Sequence, residues 1–288
     1  MAFSSAQIGA LTPAQVAGLS TAQVAAIEVG DIQGVSLDAV ELLSTAQLRA
    51  LTTAQVEALT TAQVASLSAT QLSALTTAQV DVMETRDIAA LSTTAITGFT
   101  TAQIVALDNA QVQALTTAQV AKLDVADVQA LTTAHVVALS SAQLGAMTAS
   151  QISGMGTAQV AAIEVGDIPA LSTAAIAALT TAQVAALSAA QVTALTSAQI
   201  QALKANQLGA MSTEQVAAIS VGDIPALTTA AVVGFTTAQM PALTIAQVQA
   251  LTTAQIAKLE VADVKALTTA QIVALSSAQV GALTAAQV

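Results

Sequence analysis

The residues of this sequence whose types and spacing best suit a binding site are pairs of acids three residues apart. The pairs are Glu28 with Asp31, Glu84 with Asp87, Asp124 with Asp127, Glu164 with Asp167, and Glu260 with Asp263. Two carboxylates at one helix start could share a Ca²⁺ ion, which takes about six to eight oxygen ligands. Acids at a helix N-terminus also interact favourably with the helix dipole. Because two ligands are too few for Ca²⁺, the pattern favours the structural role, and we predict no metal site.

Other residue types that carry catalysis are scarce. The single histidine, His135, stands in LTTAHVVA without an acid or a second histidine at motif spacing, so we interpret it as a substitute capping residue. A serine nucleophile needs a base and an oxyanion site, which one histidine cannot supply to many serines. The absence of cysteine excludes disulfides, thiol nucleophiles and cysteine-bound metals. We therefore predict no catalytic residue, no cofactor and no enzymatic activity.

Charge and composition limit the classes of partner. The net charge of −11 disfavours nucleic acid, which is bound by basic surfaces. Hydrophobic residues make up 55% of the chain, but Thr, Ser or Gln interrupts them every few positions. A membrane-spanning helix needs about 20 consecutive apolar residues, and the N-terminal segment MAFSSAQIGA lacks the pattern of a signal peptide. We predict neither nucleic-acid binding nor membrane insertion.

An eight-residue repeat, here called an octad, positions all of these residues. It runs from Phe3 to Val288 as 35 complete octads and six further residues, with the pattern L1-T2-T3-A4-Q5-V6-A7-A8. Positions 1 and 6 are large and apolar throughout, whereas position 7 varies freely. We expect positions 1, 4, 6 and 8 to face inward, and positions 2, 3, 5 and 7 to face largely outward.

A second, longer period lies on top of the octads. Residues 83–130 match residues 219–266 at an offset of 17 octads. The segments 27–34 and 163–170 show the same offset. We therefore predict a single continuous solenoid over residues 1–288, built from about two copies of a 136-residue module.

The residue types within an octad predict one short helix. Position 2 is Ser, Thr or Asp in 30 of 36 octads, and position 5 is Gln in 25 of 36. This spacing is typical of a capping box, in which the N-cap side chain accepts from the N3 amide and the Gln side chain accepts from the N-cap amide. Pro13 falls at the first helical position, where proline is tolerated.

Such short helices are unstable alone, so they must bury positions 1 and 6 against neighbouring octads. We predict an all-α solenoid in which each octad packs on its neighbours and the stack shares one core. A β-solenoid is the alternative, because Val, Ile and Thr favour strands and positions 4, 6 and 8 alternate. The alanine content and the capping boxes favour helices.

Four acidic octads are followed by an octad with alanine at position 5. These alanines are Ala39, Ala95, Ala175 and Ala231. We interpret the combination as a bend or change of register, with a notch for a partner as the alternative. The methionines at position 1 are expected in the core; they are Met83, Met147, Met155 and Met211.

The units LSTAQVAAI (19–27), LTTAQVEAL (51–59) and LSAAQVTAL (187–195) resemble Ala/Thr/Gln-rich octapeptide arrays of very large, adhesin-like bacterial proteins. The resemblance spans the chain and implies a bacterial surface or secreted protein. We expect a rigid spacer or stalk, or a repetitive interaction surface, whose partners are other copies of the chain associated end to end or other surface proteins. The alternative is a ligand- or ice-binding protein that uses a periodic Thr/Ser array.

Overall fold

The computed structural model of the chain describes residues 5–288, and every regular element in this range is a short helix. The prediction of an all-α solenoid of short helices is confirmed, and the β-solenoid alternative is wrong. The helices begin at position 3 of their octads, except Met240–Ala242, which begins at position 6. The bounds follow from the capping residue at position 2 and from the large apolar residue at the next position 1.

The α-helices comprise Ser5–Gly9, Pro13–Ala17, Thr21–Ala25, Leu37–Leu42, Thr45–Ala50, Thr53–Glu57, Thr61–Ala65, Ala69–Ala74, Thr77–Asp81, Thr85–Ala90, Thr93–Ile96, Thr101–Ala106, Asn109–Ala114, Thr117–Val120, Val125–Ala130, Thr133–Ala138, Ser141–Ala146, Ala149–Gly154, Thr157–Ala161, Thr173–Ala178, Thr181–Ala186, Ala189–Thr193, Ser197–Gln201, Ala205–Ala210, Thr213–Ala217, Thr229–Val232, Ile245–Ala250, Thr253–Ile256, Val261–Ala266, Thr269–Val273 and Ser277–Ala282. The 3-10 helices comprise Val29–Gly34, Val165–Ala170, Val221–Ala226 and Met240–Ala242.

The capping boxes predicted from the sequence are present. In the octad of residues 51–58, the Gln55 amide donates to Thr52 Oγ1 at 3.2 Å, and the Thr52 amide donates to Gln55 Oε1 at 2.8 Å. Pro13 occupies the first turn of its helix, as expected. These bonds satisfy helix amides that have no partner within so short a helix.

The expectation for which positions face inward is partly wrong. Positions 1 and 6 form the core, as Leu51 and Val56 illustrate, and the methionines at position 1 are buried. Position 4 is exposed, however, and position 5 is buried wherever the stack covers it, as Ala54 and Gln55 illustrate. The apolar alanine was expected to face inward and is exposed, whereas the polar glutamine was expected to face outward and is buried.

Helices pack most closely on helices three octads away in the chain. Examples are Thr61–Ala65 on Thr85–Ala90, Asn109–Ala114 on Thr133–Ala138, and Thr181–Ala186 on Ala205–Ala210. Hydrogen bonds described below also reach the fourth octad. One turn of the solenoid therefore takes between three and four octads, a number that the sequence alone leaves open.

The chain forms two compact units, Met1–Ala146 and Met147–Val288. The same octad architecture and the same packing three octads apart recur within each unit. The interpretation of the chain as one solenoid of two 136-residue modules stays a prediction. Within residues 5–288, none of the helices has the length and apolar character needed to cross a membrane.

Candidate functional site

The buried glutamines at position 5 are the main group of hydrogen-bonded polar side chains in the structure. We call them the glutamine seam. A seam glutamine accepts the amide of its own N-cap residue through Oε1 and donates through Nε2 to two backbone carbonyls, at position 6 of one earlier octad and position 1 of the next. Gln119, for example, accepts from the Thr116 amide at 2.7 Å and donates to the carbonyls of Ile88 at 2.9 Å and Leu91 at 2.7 Å. These two carbonyls lie 31 and 28 residues earlier in the chain.

The same pair of donated bonds recurs along both compact units. The glutamines that make it are Gln47, Gln55, Gln63, Gln71, Gln79, Gln103, Gln111, Gln119, Gln143, Gln183, Gln191, Gln199, Gln207, Gln215, Gln239, Gln247, Gln255, Gln271, Gln279 and Gln287.

The seam solves a problem that short helices create. A helix of five or six residues leaves most of its carbonyl groups without a partner inside the helix. An unsatisfied buried carbonyl costs about 1–3 kcal/mol. The donated bonds reach the position-6 carbonyl at the end of the helix four octads earlier, which also accepts a backbone amide, and the carbonyl of the position-1 residue that follows that helix. A single glutamine therefore forms hydrogen bonds both at the N-terminus of one helix and at the C-terminal end of another.

His135 occupies the seam in place of a glutamine. Its Nδ1 accepts from the Thr132 amide at 3.3 Å, and Thr132 Oγ1 accepts from the His135 amide at 3.1 Å. The backbone of Leu107, at position 1 of an earlier octad, acts to raise the pKa of His135, but burial has the larger effect. Burial lowers the pKa of His135 below its ordinary value of 6.5, so the neutral ring fills the slot. The prediction of a substitute capping residue is confirmed.

Some of the acids at position 5 accept a hydroxyl group instead. Thr61 Oγ1 donates to Asp87 Oδ1 at 2.6 Å, and Ser197 Oγ donates to Asp223 Oδ1. Asp223 was missed in the acidic pairs because Ser220 stands at position 2 of its octad. These contacts are structural, because a carboxylate oxygen of each acid accepts a hydrogen bond from a neighbouring side chain.

Asp127 and Asp263 differ from the other acids. They resemble each other, because they occupy equivalent positions in the matching segments 83–130 and 219–266. Both are 2% exposed. Asp127 accepts a long bond of 3.4 Å from the Asp124 amide, and Asp263 Oδ2 is buried without any hydrogen-bond partner. Burial, and secondly the charge of Asp124, raise the pKa of Asp127 to about 6. Burial, and secondly Glu260, also raise the pKa of Asp263.

The acidic pairs therefore act mainly in helix capping and packing. Asp124 accepts from the Asp127 amide at 2.8 Å in the manner of a capping residue. Glu84 and Glu260 stand at N-cap positions without a side-chain capping bond, and Glu84 pairs with Arg86 at 2.7 Å on the surface. Among residues 5–288, no three His, Cys, Asp or Glu side chains come together in a group that could hold a metal ion.

Alanine at position 5 accompanies a close approach between helices. Ala95 and Ala231 are buried where a glutamine would otherwise lie. In the same octads, a Cβ atom on Gly98 would collide with the backbone of Ala69, and one on Gly234 with that of Ala205. The hypothesised bend, and the alternative of a partner notch, stay predictions.

Comparison with known proteins supports the repeat architecture. Curated protein sequences give no match to the chain. The family model of the ALTTAQ repeat matches successive segments along the chain, namely residues 1–29, 24–69, 80–117, 120–159, 160–197, 192–221, 216–253 and 256–288. These segments cover far more than half of the sequence. The chain therefore belongs to the ALTTAQ repeat family.

Proposed function

We propose that this repetitive structural protein is a non-enzymatic rigid spacer or stalk. The observation that carries the proposal is the glutamine seam. A seam glutamine joins its octad to the helix end four octads earlier through buried bonds such as those of Gln119. Buried hydrogen bonds that recur along the chain resist bending and local opening, because each broken bond leaves a polar group unsatisfied. The number of octads then sets the reach of the spacer.

A repetitive interaction surface is the second part of this proposal. Position 7 is exposed and changes from octad to octad, as Arg49, Glu57 and Asp81 illustrate. A rigid array that carries variable side chains at a fixed spacing suits a partner with a matching repeat. Open repeat stacks also tend to associate through their apolar ends. End-to-end association of chains is therefore part of the proposal.

The bacterial surface or secreted setting belongs to the proposal as well. Its supports are the resemblance to adhesin-like octapeptide arrays and the net charge of −11. Immunolabelling of intact cells that produce the protein tests this setting. Labelling without permeabilisation is the expected result, and labelling only after permeabilisation would contradict it.

The spacer role is tested by lengthening the chain by whole modules. Residues 83–218 are 17 octads, and a second copy placed after residue 218 restores the natural junction, because 219–266 match 83–130. Small-angle scattering should show a larger maximum dimension for the lengthened chain than for the parent chain at the same concentration. An unchanged maximum dimension would count against a spacer.

Ice or ligand binding by a hydroxyl array is the second candidate function. The hydroxyl groups of position 2, such as that of Thr52, accept helix amides, whereas Thr53 and Thr77 at position 3 are exposed. The position-3 array is therefore the one that this candidate would use. Thermal hysteresis measured on the purified chain decides this candidate. A freezing-point gap that disappears on replacing position-3 threonines with alanine would favour it over the spacer.

A further inference from the structure

The two acid slots, defined here as the buried positions of Asp127 and Asp263, lie in the seam where a glutamine of another octad donates hydrogen bonds. In the octad before Asp127, Gln119 donates to carbonyls 31 and 28 residues earlier. The same separations place Asp127 opposite the carbonyls of Ile96 and Phe99. These two carbonyls lie at the C-terminal end of helix Thr93–Ile96.

The second slot has the same surroundings. Gln255 and Gln271, in the flanking octads, both donate to carbonyls at separations of 31 and 28 residues. Asp263 therefore faces the carbonyls of Val232 and Phe235, at the end of helix Thr229–Val232. In both slots, the octad that supplies the first of these carbonyls carries alanine at position 5, and the second carbonyl belongs to position 1 of the next octad.

An ionised carboxylate is the wrong group for these slots. It accepts hydrogen bonds only, whereas a protonated carboxyl has one O–H to donate. The C-terminal end of a helix also carries partial negative charge, which repels an anion. The buried Oδ2 of Asp263, which has no hydrogen-bond partner, is the atom that a proton would convert into a donor.

The charged groups near the slots lie on the acids' own octads, and they include Lys265 on the helix of Asp263. The helix of Asp127 packs on Thr101–Ala106, and this helix and Thr93–Ile96 contain no titratable side chain. The helix of Asp263 packs on Met240–Ala242, which together with Thr229–Val232 also contains none. The acids that act on the slots are therefore their own N-cap residues, Asp124 and Glu260; their charges oppose ionisation, while their backbone amides favour it less strongly.

We propose that Asp127 and Asp263 are proton-operated joints in the glutamine seam. The neutral carboxyl donates its O–H to a carbonyl of the helix four octads earlier, as a seam glutamine donates its amide. When the pH rises, the proton leaves to water, the donor is lost and a negative charge faces the helix end. The seam then opens at these two joints and stays closed at its glutamines. Because the joints lie one module apart, an array of such modules would soften at regular intervals.

Hydrogen exchange of the full chain tests this proposal. We expect exchange of peptides covering residues 91–99 and 123–131 to rise between pH 5 and pH 8. The rise should be about tenfold or more relative to a peptide covering residues 43–51 of the same chain, which corrects for intrinsic exchange. In the double variant Asp127→Gln and Asp263→Gln, this relative rise should disappear, because the common donor is restored.

The matched control is the double variant Asp87→Gln and Asp223→Gln, which changes the acids that accept a hydroxyl group. The relative rise at 91–99 should persist in this variant. Infrared spectroscopy at pH 5 should show a protonated carboxyl band that the Asp127→Gln and Asp263→Gln variant lacks. A pH-independent exchange ratio in the parent chain, or loss of the rise in the control, would overturn the proposal. A rise that Ca²⁺ suppresses and a chelator restores would also overturn it, by assigning the slots to a cation.

Discussion

At the scale of single residues, the seam glutamines carry more of the stability than any exposed side chain. Gln119 is 1% exposed and uses both ends of its amide, toward Thr116 and toward the helix end four octads earlier. We expect Gln119→Ala to lower the free energy of unfolding by about 2–4 kcal/mol, because buried groups at both ends lose their partners. Urea denaturation followed by circular dichroism measures this change.

The control for this substitution lies in the preceding octad. Gln113 is the same residue type at position 7, and it is exposed. Gln113→Ala should change the free energy of unfolding by about 0.5 kcal/mol or less. Equal effects of the two substitutions would show that the seam contributes no more than surface composition does.

His135 makes the chain sensitive to acid. Burial holds its folded-state pKa below 6.5, so the unfolded state takes up a proton first as the pH falls. Stability is therefore present above about pH 6.5 and is lost progressively below it. We expect His135→Gln, which restores the common seam residue, to remove this loss. The midpoint of thermal unfolding between pH 7 and pH 5 measures the effect, and an unchanged pH dependence would contradict it.

At the scale of elements, the spacing between helices depends on the residue at position 8. Gly98 lies against the backbone of Ala69, three octads earlier, where the alanine at position 5 allows close packing. We expect Gly98→Ala to lower the free energy of unfolding by about 1–3 kcal/mol, because the added methyl group forces the two helices apart. Thermal unfolding followed by circular dichroism is the measurement.

A second glycine provides the comparison. Gly222 has a negative φ, and a Cβ atom there would meet nothing within 4 Å. Gly222→Ala should stabilise the chain slightly, by about 0.4–1 kcal/mol, because it restricts the unfolded state. Gly98→Ala should therefore lower the free energy of unfolding, whereas Gly222→Ala should raise it. A stabilising effect at Gly98 would mean that the close approach carries no constraint.

The helices themselves could be predicted from sequence because their signals are local. A capping box joins residues three apart, so Thr52 and Gln55 reveal it directly. The seam could not be predicted in the same way. Its separations of 28 and 31 residues are not multiples of eight, and nearly identical octads give no clue to which one is the partner. Gln55 therefore resembled an exposed capping residue in the sequence, although it is buried.

At the scale of the whole molecule, the repeat period is the property that the fold depends on most. One octad can replace another in the seam, provided that its glutamine meets a helix end four octads earlier. Insertion of one octad, LTTAQVAA, after Ala58 should therefore be absorbed by a shift of the following octads. Insertion of the four residues LTTA at the same place should not be absorbed, because it moves the following glutamines half an octad out of register with the helix ends that they bind.

We expect the octad insertion to keep the helical circular dichroism spectrum and the thermal midpoint close to those of the parent chain. The four-residue insertion breaks the bonds of the seam on both sides, since each coil takes three to four octads. It should lower the midpoint markedly and increase exchange across several octads. Equal tolerance of both insertions would mean that the octads fold independently of one another. Long-range pairing through buried glutamines would then contribute nothing to the stability of the array.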